Sequence, residues 1–91
     1  MNDPRYQLRI VSSVRRHLTE VLLERVATAA FEFITGPLLD DPHRVGAMLR
    51  SPLAERHSGR RGTYRVIYRI DDETRTVTVL AIGHRGEIYR S

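Results

Sequence analysis

The sequence predicts an α+β fold: an N-terminal strand and a two-helix hairpin, then antiparallel strands forming one sheet packed on the helices. Residues 5–11 alternate at strand period, apolar residues then recur at helical spacing from Val14 to Phe33, and strand-period segments return from residue 63 with short polar turns between them. At 91 residues and 41% hydrophobic composition, the chain can bury one compact core and not two. Residues 1–91 are therefore read as a single domain, without an internal repeat or a linker.

In Arg5-Tyr6-Gln7-Leu8-Arg9-Ile10-Val11, the residues Tyr6, Leu8 and Ile10 fall on one side, as in a half-buried strand. Ser12 or Ser13 is the expected N-cap of the helical segment beyond it. Val14, Leu18, Val21 or Leu22, Val26, Ala29 or Ala30 and Phe33 form an apolar stripe up to Gly36-Pro37, a pair that stops a helix. The stripe is one long helix or two short ones in a hairpin. Between Gly36 and Pro52 stand three prolines, two glycines and Asp40-Asp41, which predicts an irregular surface crossing tacked down by Leu38-Leu39, Val45 and Met48-Leu49.

The remainder reads as a short strand near Leu53–His57, a turn region at Gly59 and Gly62, a strand over Thr63–Ile70, a turn at Asp71–Thr74, a strand over Thr76–Ile82, and a last extended piece ending at Tyr89. Alternation in the middle strand places Tyr64, Val66, Tyr68 and Ile70 on a face for the helices. Thr63, Arg65, Ile67 and Arg69 fall on a face that offers charge. Val77–Ile82 is apolar on both sides, as a central strand requires.

Composition narrows the functional classes. Without cysteine there is no disulfide framework and no thiolate metal site. No apolar run reaches membrane-spanning length, and Met1-Asn2-Asp3-Pro4 lacks the pattern of a signal peptide, so the expected location is the cytoplasm. Residues 1–45 carry six Arg against six acids and residues 46–91 nine Arg against five, so the net charge of +4 belongs to the second half. All fifteen cations are Arg, and among cationic side chains only His exchanges a proton readily near neutrality.

Charge and strand pattern coincide in His57-Ser58-Gly59-Arg60-Arg61-Gly62-Thr63-Tyr64-Arg65-Val66-Ile67-Tyr68-Arg69, with four arginines in thirteen residues and two of them inside a strand. A guanidinium is a fixed planar fork matched to phosphate oxygens, and a cluster of such forks on a rigid sheet points to nucleic acid. Adjacent surface arginines such as Arg60-Arg61 also occur as a solvated hairpin tip.

Arg60-Arg61-Gly62-Thr63-Tyr64-Arg65-Val66-Ile67-Tyr68-Arg69-Ile70-Asp71, followed by Ile82-Gly83-His84-Arg85-Gly86-Glu87-Ile88-Tyr89, resembles the RelE/ParE toxin superfamily on its RelE side. The order of strand, helical hairpin and antiparallel strands agrees, over nearly the whole chain. The resemblance implies the toxin of a type II toxin–antitoxin module: an endoribonuclease that enters the ribosomal A site and cuts mRNA without a metal or other cofactor. It further implies a cognate RelB-like antitoxin that neutralises the toxin, and a toxin–antitoxin complex that binds operator DNA through the antitoxin. Two other classes remain open, a ParE-like inhibitor of DNA gyrase and a non-catalytic basic module that binds RNA or an acidic partner.

RNA carries its own nucleophile, the 2′-hydroxyl beside the scissile phosphate, so such an enzyme orients that group, stabilises the charge of the transition state and moves two protons. By position and motif, Arg65 and Arg85 are the candidates for charge stabilisation; Arg65 is equally readable as a structural ion-pair partner of Glu87. Arg56, His57, Arg60, Arg61 and Arg69 are the expected RNA-binding residues. Arginine is too basic to carry the proton, which leaves Tyr89, His84 and His57, and the resemblance favours Tyr89. Its ordinary pKa near 10 requires neighbouring arginines to lower it. Tyr89 also reads as a sheet-edge aromatic covering the core, and His84 as a strand-end hydrogen-bonding residue. Where many RelE relatives use lysines, only Arg56, Arg60 or Arg61 is available here; Ser58-Gly59 stands where relatives more often carry an Arg or Lys and an apolar strand residue, Ala47-Met48 stands where close relatives often have Lys-Pro, and no C-terminal helix is expected after Tyr89. Neutralisation by covering the basic face is the expectation.

Overall fold

In the computed structural model, which describes residues 5–49 and 56–84, the N-terminal alternation becomes strand β1 (Gln7–Ile10), with Leu8 and Ile10 half-buried and Gln7 and Arg9 exposed. The helical stripe resolves into two helices. Helix α1 (Ser12–Arg16) runs on into a π-helical turn, His17–Val21, and α2 spans Glu24–Thr35. Local hydrogen bonding explains the break. The Thr19 hydroxyl donates to the carbonyls of Arg15 (3.0 Å) and Arg16 (3.3 Å), and the Leu22 N–H reaches back to His17 O at 3.0 Å, one residue further than an α-helix allows. Leu22 and Leu23 then adopt extended backbone, with ψ of 147° and 146°. Neither Ser12 nor Ser13 caps α1: Val11 holds the N-cap position without a side-chain bond, and Ser12 is already helical. Gly36 ends α2, and Pro37 opens the short helix α3 (Pro37–Asp40), where a missing N–H is harmless.

Strands β2 (Ala47–Met48), β3 (Arg56–Arg61), β4 (Tyr64–Asp71) and β5 (Thr76–His84) complete one sheet ordered β1-β5-β4-β3-β2. The last four strands are antiparallel, as expected, but β1 lies parallel to β5, so the sheet is mixed. Ala47 and Met48, expected within an irregular crossing, form an edge strand on Ser58 and His57. The expected strand near Leu53–His57 begins at Arg56 and runs to Arg61; Leu53–Glu55 lie outside the described residues. Gly59 is therefore a strand residue rather than part of a turn. A Cβ there would stand 2.9 Å from the Phe33 ring, so glycine is what lets α2 approach the sheet. The turn proper is Gly62-Thr63, with Gly62 at φ +63°.

Strand β5 is central and carries an irregularity: Tyr68 pairs with Val79 and Ile67 with Ala81, which leaves Leu80 as an extra residue. Val77 and Val79 face the core before it and Ile82 after it. Val14, Phe33, Ile34, Leu38, Val66, Tyr68, Val77, Val79 and Ile82 form the centre of the core between helices and sheet. Tyr68, fully buried, donates its hydroxyl to Pro42 O at 2.6 Å and so anchors the loop after α3; burial pushes its pKa up to about 12. At the far end, Asp72 accepts from the Tyr6 hydroxyl at 2.5 Å and from His43 Nε2 at 2.9 Å, tying together the chain before β1, the loop after α3 and the β4–β5 turn. These bonds, the tyrosine's first, hold the Asp72 carboxyl below its ordinary pKa. Among the described residues no helix is long and apolar enough to cross a membrane.

Candidate nucleic-acid interface

The register of β3 on β4 decides which arginines share a face. Arg56 stands directly opposite Arg69, Ser58 opposite Ile67, and Arg60 opposite Arg65. Side chains alternate along a strand, so all six point away from the helices while Val66 and Tyr68 point into the core. Two Arg–Arg cross-strand pairs therefore stand four residues apart on the face away from the helices, on either side of the buried Ser58 and Ile67. Such pairs bring Cβ atoms to about 4.5–5.5 Å and are destabilising in isolation.

A contribution the sequence reading missed comes from β1. Arg9 pairs with Thr78, and Thr78 pairs with Arg69, so Arg9, Thr78, Arg69 and Arg56 form one row across the sheet. The alternation around Leu8 already placed Arg9 on the polar side of its strand. Only the parallel pairing of β1 with β5 puts that side in line with the other arginines. No ion pair among the described residues involves Arg9, Arg56, Arg60, Arg65 or Arg69.

At the other end of this face, Arg60, Gly62, Thr63 and Arg65 line a cleft of about 230 Å³. Arg65 is half-buried, and its Nε is shielded from solvent without a hydrogen-bond partner among the described residues. A buried donor of a cationic group left unpaired is costly, and an anion in the cleft would satisfy it. Gly83 sits opposite Arg65 on β5.

Two of the expected RNA-binding residues fall on the helix side instead. The Arg61 guanidinium lies 4.4 Å from the centroid of the Phe33 ring, in cation–π geometry on α2. His57 is 7% exposed, stacks on Tyr68 at 5.5 Å and meets His43 edge-on at 5.8 Å. Its Nδ1 is buried without a hydrogen-bond partner among the described residues, and desolvation, then the neighbouring His43, lowers its pKa. Strand parity explains the separation, because residues 57 and 61 are odd positions in a strand whose even positions face out. The backbone of His84 pairs with Tyr64 at the end of β5, one residue beyond Gly83. Arg85, Glu87 and Tyr89 lie outside the described residues.

The family model described as the ParE toxin of the type II toxin–antitoxin system parDE matches residues 10–89. Toxin RelG of Mycobacterium tuberculosis is 48% identical over 85 residues, covering 93% of this chain and 97% of its own length. Toxin RelE of the same organism is 44% identical over 89 residues, covering 98% of this chain and 91% of its own. The chain belongs to the RelE/ParE toxin family. A third comparison shows that the likeness extends to the fold: the solved toxin–antitoxin complex RelBE2 from M. tuberculosis contains a chain that superimposes with a TM-score of 0.83 at 47% identity, over 89% of this toxin and 99% of that chain. These full-length relatives are of RelE type, and this chain is a RelE-type toxin of a type II system.

Proposed function

We propose that this toxin is a ribosome-dependent endoribonuclease that cuts mRNA in the A site, needs no metal, and is neutralised by a cognate RelB-like antitoxin in the cytoplasm. The observation that carries the proposal is the pair of like-charged rungs, Arg60 with Arg65 and Arg56 with Arg69, on one face of a rigid hairpin. A fold that tolerates this self-repulsion gains from it only when a polyanion lies across it. In the reaction the 2′-hydroxyl attacks the adjacent phosphorus, the P–O5′ bond breaks, and the products are a 2′,3′-cyclic phosphate and a 5′-hydroxyl. Arg65 and Arg85 stabilise the charge of the pentacoordinate transition state, while Arg56, Arg60 and Arg69 hold flanking phosphates. Tyr89 takes the proton from the 2′-hydroxyl, with His84 as the second candidate, and solvent supplies the proton taken up by the departing 5′-oxygen.

RelBE2 is by its description a toxin–antitoxin complex, which supports a cognate antitoxin for this chain. An acidic segment that folds on binding would complement the arginine face, and operator DNA would be contacted through that antitoxin.

The test is a translation extract programmed with a reporter message whose 5′ ends are mapped by primer extension. New ends inside ribosome-occupied codons, absent without ribosomes, are expected for the wild type. Folded Arg65→Ala and Tyr89→Phe variants should cut at least 100-fold more slowly, on the order of a lost transition-state donor or proton carrier. The ParE description of the matching family model supplies the second reading. An intact message together with gyrase-dependent DNA breakage would establish that one instead.

A further inference from the structure

Two clefts meet at the β3–β4 turn. One is the arginine cleft of the open face; the other lies on the helix side, between α2 and the hairpin, with a volume of about 380 Å³. Gly62 and Thr63 line both. The floor of the second is apolar, from Val26, Ala30 and Val66, Tyr64 forms a wall, and Arg25 and Arg61 stand at the rim.

We propose that this helix-side cavity is a nucleobase subsite: RNA whose phosphate rests on Arg60 and Arg65 turns one base over Gly62-Thr63 into it. The proposal rests on the RNA-binding reading above and adds where a base is received. Continuity is the first support. In a nucleotide only the sugar separates base from phosphate, so a single residue can engage two clefts that share a wall. Access is the second, because Gly62 has no side chain and nothing lies within 4 Å of where its Cβ would stand. The chemistry is the third. An apolar floor and an aromatic wall suit the flat faces of a base, and guanidinium donors at the rim suit its carbonyl and ring-nitrogen acceptors. Arg61 is steadied by the Phe33 ring at 4.4 Å, so its donors are held in place. The subsite also gives a role to Arg61, which lies on the wrong side of the hairpin for the arginine cleft. An antitoxin segment is the competing occupant of the same volume, and the test below separates the two.

The experiment is an NMR titration of the labelled toxin with a single-stranded RNA tetranucleotide bearing 2′-O-methyl riboses, which cannot be cut. A second titration uses the same strand made abasic. Resonances of Arg60 and Arg65 should shift with both strands, and those of Val26, Ala29 and Val66 only with the base-bearing one, which should bind about 5- to 150-fold more tightly. Ala29→Trp, which fills the cavity from α2, should abolish the base-dependent difference and leave abasic binding unchanged. Arginine shifts with both strands while the cavity resonances stay still would overturn the subsite and leave the RNA-binding reading intact. If neither strand shifts the arginines, both fall. Cavity shifts with an antitoxin and not with RNA would reassign the cavity to a protein segment.

Discussion

The like-charged rungs of the β3–β4 hairpin make a prediction that most surface substitutions would not. Replacing Arg60 or Arg69 by Gln leaves its cross-strand partner, Arg65 or Arg56, without a like charge directly opposite. Each repulsive pair is worth about 0.2–1 kcal/mol against a neutral one. Four residues separate the rungs, roughly 13 Å at 3.3 Å per residue, which exceeds the screening length of about 10 Å at 0.1 M salt. The two effects should therefore add to about 0.4–2 kcal/mol in the double variant. For a domain of this size that is a rise in Tm of about 2–16 °C, with half as much for each single variant. The assay is thermal unfolding at 0.1 M and 1 M salt, beside RNA binding over a salt series. In 1 M salt the screening length falls to about 3 Å and the stability gain should largely vanish. The dependence of log affinity on log salt should lose about 0.7 in slope per arginine removed, as for one phosphate contact on a single strand. A variant less stable than wild type at low salt, a gain that persists in 1 M salt, or an unchanged salt slope would refute the reasoning.

Three further outcomes concern the core and its edges. Tyr68→Phe leaves the buried Pro42 carbonyl without its donor and should destabilise the toxin by about 1–3 kcal/mol in urea titrations at pH 8. Because Tyr68 is raised from 10.0 to about 12, its contribution is complete below pH 10 and lost as the pH rises through about 12; the Phe variant should lack that alkaline step. Gly59→Ala drives a methyl group to 2.9 Å from the Phe33 ring and should cost about 1–3 kcal/mol by thermal unfolding, partly recovered by adding Phe33→Leu. His57 is favoured in its neutral form, so its contribution is complete above the ordinary value of 6.5 and is lost as the pH falls through the lowered value. His57→Phe should flatten the stability profile just below pH 6.5, and a profile equally steep in that variant would assign the loss to another group.

Much of the fold is legible without coordinates because it rests on periodicity. A side chain every second position must alternate between faces, and one every third or fourth must form a stripe, so β1, α2, β4 and β5 follow from Leu8 and Ile10, Ala30 and Phe33, Val66 and Tyr68, and Val77 and Val79. The open-face positions of Arg65 and Arg69 are legible by the same parity. What the sequence could not determine depends on which strands lie side by side and how closely layers approach. Gly59 has the look of a turn residue, yet its pairing with Val66 makes it a strand residue and the Phe33 ring above it leaves no room for a side chain. Arg61 and His57 carry the same charge signal as Arg60, yet the phase of β3 turns them towards the helices. Arg9 joins the arginine row because β1 pairs in parallel with a strand nearly seventy positions later, a contact that no local pattern encodes. Alternation is a property of the chain and can be read from it; register and strand order are settled by burying one shared core, and only the folded molecule shows which charges that choice brings together.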